Sequence, residues 1–295
     1  MNQKLNGVFA PITTPFLSSG EVDYCGLEKN MEFYSASKLA GYLALGSNGE
    51  NKSLTNDEKI KVLKAIIGKK GPHQVVMAGC IFESTYETIE YAKKMEALGV
   101  DFLTLLPPSY FKKQMTDAVL VKYFSDVADA VKTPCLIYNA PQFCADITLS
   151  VNLVKEVAKH PNIAGMKDSS KGNIDSYLFA VRDKINVMAG SANFFMLALI
   201  MGGTGGVISL ANVFPDLMHE LYALVCSGQY AGAFALNEKV LGMNSTVSGK
   251  GGVAAVKYAM DLVGLVGGEP RLPLLPLDEA TKCGIRSFLE GEGML

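Results

Sequence analysis

Between Gly7 and Ser209 eight short apolar runs alternate with stretches that carry apolar residues at helical spacing, a turn following each run. The runs are Gly7-Val8-Phe9-Ala10-Pro11-Ile12, Gly41-Tyr42-Leu43-Ala44-Leu45, Val75-Val76-Met77-Ala78, Phe102-Leu103-Thr104-Leu105 and Pro134-Cys135-Leu136-Ile137-Tyr138, then 163–166, 185–189 and 206–209. They hold few polar residues, as parallel strands covered on both faces require. Helix starts fall between them. Thr55 with Glu58 and Ser84 with Glu87 have capping-box spacing, and Thr116 opens a stretch that turns Leu120, Phe124 and Val127 inward. Further helices are expected from about Asp23, with Leu27, Met31 and Tyr34 inward, and from Thr55, carrying Ile60, Leu63 and Ile67. Others are expected over 149–159, around 175–182 and about 193–201. Eight such units predict an α/β fold, a (β/α)8 TIM barrel. An open doubly wound sheet competes, but it usually carries a glycine-rich turn after its first strand, where this chain has Thr13-Thr14-Pro15-Phe16.

From about Phe214 the alternation stops. Residues 217–225, 230–243, 253–263 and 278–289 read as helices with no strand between them, the last preceded by the proline-spaced segment 270–276. The expected organisation is a catalytic barrel over 1–213 and a C-terminal helical appendage over 214–295. Gly249-Lys250-Gly251-Gly252 has the look of a phosphate loop, yet no serine or threonine follows the lysine and no strand precedes it, so it reads as a turn between helices.

A formal net charge of -2 and a chain without long runs of like charge exclude nucleic acid and anionic membranes as expected partners, leaving small molecules. Six cysteines without paired short spacing suit a reducing compartment. No apolar signal core or membrane-length run is found, so a cytoplasmic location is expected. His73, His160 and His219 are dispersed; no metal site and no cofactor is expected.

The apolar run at 163–166 delivers Lys167 and then breaks into Asp168-Ser169-Ser170. Desolvation at a buried strand end favours the neutral amine, the form that adds to a carbonyl to make a Schiff base. The plain alternative is a lysine that snorkels into solvent. In a barrel the carboxyl ends of the strands share one face, and those ends bring Ser47 and Asn48, Tyr110, Tyr138 and Asn139, Gly190 and Ser191, and Ser209. If Lys167 forms an imine with a 2-oxo acid, a phenol such as Tyr138, relayed through Ser47, can move the protons. The backbone N–H groups of Ser47-Asn48, flanked by glycines, can nest a carboxylate.

Gly46-Ser47-Asn48-Gly49-Glu50, Tyr138-Asn139-Ala140-Pro141 and Gly165-Met166-Lys167-Asp168, in this order and at these separations, resemble the dihydrodipicolinate synthase/N-acetylneuraminate lyase family of pyruvate-dependent class I aldolases. The resemblance runs from Gly7 to about Leu277. It implies a barrel with C-terminal helices, Lys167 as the Schiff-base residue, Tyr138 as the proton-transfer tyrosine and Ser47 in a hydroxyl relay. It also implies that Tyr110 enters a neighbouring subunit's site, that the backbone carbonyl of Ile208 lies against the imine, and that the chain forms a homotetramer, a dimer of dimers.

Within that family this chain departs from the synthases at Gln142-Phe143-Cys144-Ala145, where Phe143 stands in place of an arginine that grips the aldehyde's carboxylate. It departs from the sialic acid lyases at Ser191-Ala192-Asn193, where they carry an acidic pair. Gly-Ser-Asn-Gly-Glu, Lys-Asp-Ser and Ala-Gly-Ser-Ala look most like the 4-hydroxy-2-oxoglutarate aldolase branch. The expected activity is reversible aldol cleavage of a 4-hydroxy-2-oxo acid, such as 4-hydroxy-2-oxoglutarate or a 2-keto-3-deoxy sugar acid, to pyruvate and an aldehyde. One alternative is condensation of pyruvate with aspartate semialdehyde, the dihydrodipicolinate synthase reaction; another is a barrel that binds a 2-oxo acid without turnover.

Overall fold

The computed structural model describes residues 1–170 and 172–295. Eight strands form a closed parallel barrel in chain order: β1 (Gly7–Pro11), β2 (Gly41–Ala44), β3 (Val75–Cys80), β4 (Phe102–Leu105), β5 (Cys135–Asn139), β6 (Ile163–Asp168), β7 (Asn186–Ala189) and β8 (Gly205–Val207). Every strand residue is buried except the half-buried Ala164. That burial is why strands with almost no polar alternation were legible as parallel. The helices that follow β1 to β7 are α1 (Tyr24–Ala36), α2 (Asn56–Lys69), α3 (Thr85–Ala97), α4 (Asp117–Asp129), α5 (Val151–Val157), α6 (Ile174–Val181) and α7 (Phe195–Ile200). After β8 come α8 (Pro215–Cys226), α9 (Tyr230–Asn244), α10 (Gly252–Leu262) and α11 (Glu279–Gly291). Among the described residues no helix is long and apolar enough to cross a membrane.

The chain divides into two compact units. The first comprises Met1–Gly7 and Val75–Val207. There the amino-terminal segment is pinned by Asn2 N–H to Asn186 Oδ1 (2.8 Å), Gly7 N–H to the Thr204 carbonyl (3.1 Å) and an ion pair of Lys4 with Asp101 (3.0 Å). The second comprises Val8–Gln74 and Ile208–Leu295, so the C-terminal helices pack in one body with α1 and α2. Asn30 on α1 exchanges two hydrogen bonds with the backbone of Val266 (2.7 and 2.8 Å), and Tyr34 donates to the Asn212 carbonyl (2.7 Å).

Thr55 and Glu58 form the full reciprocal capping box, and Ser84 and Thr116 accept from Glu87 and Val119 N–H. The buried face of α2 differs from expectation: Lys59, Val62, Leu63 and Ile66 are buried, whereas Ile60 and Ile67 are half-buried. Both stripes have helical spacing, and the observed one is available because the Lys59 amine still reaches Asn56 Oδ1 (3.1 Å) while its stem is covered. Two helices are shorter than their patterns. Ser150 caps α5, and the pattern over 193–201 divides into a 3-10 turn, Ala192–Phe194, and α7. Near the glycine cluster α9 runs into a π-helical turn, Ser245–Gly249, before Lys250 and Gly251 lead into α10.

Candidate active site

In the first unit the centre is the paired ends of β5 and β6. Tyr138 lies opposite Lys167 in the strand register, and Asn139 lies opposite Asp168. Lys167 is only 5% exposed, and its Nζ stands 4.3 Å from the centroid of the Tyr138 ring, which is itself buried. Of the two alternatives for this lysine, the strand end keeps the side chain under cover.

Successive strand residues point to opposite faces, so Asn139 and Asp168 project away from that pair, and they hold each other there. Asn139 Nδ2 donates to Asp168 Oδ1 (2.8 Å) and to the Tyr177 hydroxyl (3.1 Å), while Asn139 Oδ1 accepts from Leu149 N–H (3.1 Å). Asp168 Oδ1 also accepts from Ser170 N–H (3.1 Å) and Ser170 Oγ (2.7 Å), and Oδ2 is buried without a hydrogen-bond partner among the described residues. Burial pushes the Asp168 carboxyl above its usual range, against the pull of Ser170 and Asn139. The sequence marks Asn139 only as a strand-end group, and its one signal for the network is that Tyr138 and Lys167 are each followed by a polar residue.

Gly190 donates to the Asp168 carbonyl (2.6 Å), and a Cβ there would lie 2.7 Å from that same oxygen and 1.9 Å from Ser169 Oγ. Only glycine permits that approach of the β6 and β7 ends. Ser191 caps the following 3-10 turn by accepting from Asn193 N–H (3.3 Å). Tyr110 is not drawn in with Lys167: it is 81% exposed, its ring edge-on to Phe111, and its N–H donates to Glu83 Oε2 (3.0 Å). Phe143, on the 3-10 turn Pro141–Phe143, is half exposed.

In the second unit the loop after β2 is bracketed by two non-glycine residues in the left-handed region, Leu45 (φ 57) and Glu50 (φ 51). Glu50 N–H bonds to the Ser47 carbonyl (3.1 Å), Asn51 Nδ2 to the Leu45 carbonyl (2.9 Å) and Thr14 Oγ1 to the Gly49 carbonyl (2.8 Å). A Cβ on Gly49 would lie 3.0 Å from the Ile12 carbonyl oxygen. Asn48 Nδ2 donates to Ser209 Oγ (2.9 Å), bringing two expected site residues together. Ile208 is buried; its N–H bonds to the Phe9 carbonyl and its own carbonyl accepts from Ala211 N–H, both at 3.0 Å. Asn212, which the sequence did not single out, anchors this turn by donating to the carbonyls of Pro11 and Ser209 (both 3.0 Å). Among the described residues no group of three or more His, Cys, Asp or Glu side chains could hold a metal ion.

A covered amine beside a phenol is the equipment of imine chemistry, and the comparisons agree with that chemistry. The profile of the Dihydrodipicolinate synthetase family matches residues 4–291. A 4-hydroxy-tetrahydrodipicolinate synthase of Acidiphilium cryptum is 31% identical over 98% of this chain and 99% of its own length. A putative mitochondrial 4-hydroxy-2-oxoglutarate aldolase of Coccidioides immitis is 30% identical over 96% of this chain and 94% of its own. Among solved structures, a dihydrodipicolinate synthase from Acinetobacter baumannii in complex with pyruvate is 29% identical, with a TM-score of 0.93 over 99% of this chain and 100% of that one. Family members are lyases and synthases that work through a lysine Schiff base. The chain belongs to the dihydrodipicolinate synthetase family and is an enzyme of the class I aldolase type.

Proposed function

We propose that the enzyme cleaves a 4-hydroxy-2-oxo acid reversibly to pyruvate and an aldehyde, with Lys167 as the nucleophile. The observation that carries the reading is Lys167 itself, 5% exposed, with its amine 4.3 Å from the centroid of the Tyr138 ring. The neutral amine adds to the C2 carbonyl, and loss of water from the carbinolamine leaves a protonated imine that withdraws electrons from C3. As the C3–C4 bond breaks, its electron pair passes into the enamine and the C4 hydroxyl gives up its proton, leaving the aldehyde. Tyr138, relayed through Ser47, takes that proton and returns one to C3, and hydrolysis of the imine releases pyruvate. The backbone N–H groups of Ser47 and Asn48 hold the substrate carboxylate, and Gly190, Ser191, Ile208 and Ser209 complete the substrate-binding set. Tyr110, largely exposed within one chain, serves the site of a neighbouring subunit in a homotetramer. Protein groups alone supply these steps, so no cofactor enters the scheme.

The choice of aldehyde rests on Phe143. A half-exposed neutral ring stands where the synthases carry an arginine, and it cannot make the paired charge-assisted hydrogen bonds that hold a carboxylate. The second reading, condensation of pyruvate with aspartate semialdehyde, is favoured by the name of the Acidiphilium cryptum relative. Borohydride reduction in the presence of pyruvate should add a stable mass to the peptide bearing Lys167 and none in Lys167→Ala. An assay of both reactions then separates the readings: turnover with aspartate semialdehyde and none with 4-hydroxy-2-oxo acids would reverse the choice.

A further inference from the structure

The loop that carries Ser47 and Asn48 ends in a buried charge that catalysis does not use. Glu50 and Lys257 form an ion pair at 2.7 Å with both side chains 0% exposed. Lys257 lies on α10, and its Nζ also donates to the Glu269 carbonyl (3.0 Å). The other oxygen of Glu50 accepts from Arg271 N–H (2.9 Å). Phe16 is flanked by both cations, with Lys257 Nζ and Arg271 Cζ each 4.5 Å from its centroid. The Arg271 guanidinium then donates to both oxygens of Glu58 (2.8 and 2.7 Å) and to the carbonyls of Gly20 and Ser53. Glu50 at the end of the loop, and Ser53 and Glu58 just beyond it, are thus fastened to Arg271 in the segment that follows α10.

We propose that Lys257 and Glu50, seated by Arg271, are positioning residues that hold the Ser47–Asn48 loop in its carboxylate-binding shape. The proposal rests on the assignment of that loop to the substrate carboxylate. Two observations carry it. First, Glu50 has a left-handed backbone (φ 51), which a residue other than glycine keeps only where its surroundings over-determine it, and here both carboxylate oxygens are held. Second, stability is a poor reason to keep such a pair, since well-packed apolar replacements of buried ion pairs are often neutral or stabilising, whereas loss of one partner alone is costly. What the pair supplies and an apolar pair does not is a directional hold on one carboxylate.

The test uses the full chain as parent, Glu50→Gln, Lys257→Met and the double variant. It reads the thermal midpoint, the pyruvate concentration giving half-maximal borohydride trapping, and kcat on the 4-hydroxy-2-oxo acid. Each single variant should lower the midpoint, and the double variant should recover much of it because no unpaired buried charge remains. The double variant should still need about tenfold more pyruvate for half-maximal trapping, with kcat at saturation within about twofold of parent. A double variant that regains the parent's pyruvate dependence together with its midpoint would show a merely structural pair and overturn the proposal. If a single variant does not fold, the double variant against parent decides. A parent that pyruvate and borohydride do not label overturns the imine reading itself, and the positioning role with it.

Discussion

Asn139→Ala isolates the contribution of the hydrogen bonds behind Lys167 and Tyr138. The amide is 0% exposed and makes three contacts: to Asp168 Oδ1, to the Tyr177 hydroxyl and from Leu149 N–H. Truncation leaves Leu149 N–H buried without its acceptor and takes from Asp168 one of its three donors; Tyr177 keeps its bond to the Leu149 carbonyl (2.5 Å). An unsatisfied buried group costs about 1–3 kcal/mol and a lost buried hydrogen bond about 1 kcal/mol, so the orphaned Leu149 N–H, the bonds lost by Asp168 and Tyr177 and a small cavity sum to about 3–5 kcal/mol. That places the variant near the upper end of single substitutions, although it removes only an amide. Urea unfolding followed by circular dichroism measures the loss, and hydrogen exchange at the Leu149 amide locates it. Because Asn139 and Asp168 pair one step beyond Tyr138 and Lys167, the same variant should also lower kcat. A stability change under about 1 kcal/mol, with Leu149 still protected, would refute the claim that these bonds tie the strand ends together.

Tyr138→Phe should fold as the parent does and lower kcat about a hundredfold or more if the phenol moves protons, and an unchanged kcat would remove that role. Asp168→Asn tests the buried carboxyl through pH. Burial raises this acid, so the folded chain keeps the proton to higher pH than the unfolded chain; the resulting stability is full below the ordinary carboxylate range and is lost as pH rises through the raised value. The asparagine does not titrate, so the variant should gain on the parent in stability as pH rises from the ordinary carboxylate range through the raised value, and a pH-independent difference would refute the assignment.

The strands were legible because each is buried on both sides, which leaves a continuous apolar run with little else to fit. The face of α2 was not, because two stripes on that helix have equal periodicity and only packing chooses between them. The π-helical turn at Ser245–Gly249 leaves no periodicity of its own in so short a span. Lys167 and Tyr138 stand out in the sequence as candidates because a polar group ending an apolar run is conspicuous. Glu50 and Lys257 could not, being 207 residues apart with nothing local to link them.

Asn139 and Asp168 lie between these cases, and they show what strand register adds. Tyr138-Asn139 and Lys167-Asp168 are adjacent pairs on neighbouring strands, aligned residue for residue. Alternation sends the first member of each pair to one face and the second to the other, so one face presents the proposed reacting groups and the opposite face their anchors. A slip of one residue between the strands would separate the Tyr138–Lys167 pair and break the Asn139–Asp168 bond together, so the geometry that the chemistry requires is the geometry that the buried hydrogen bonds reward.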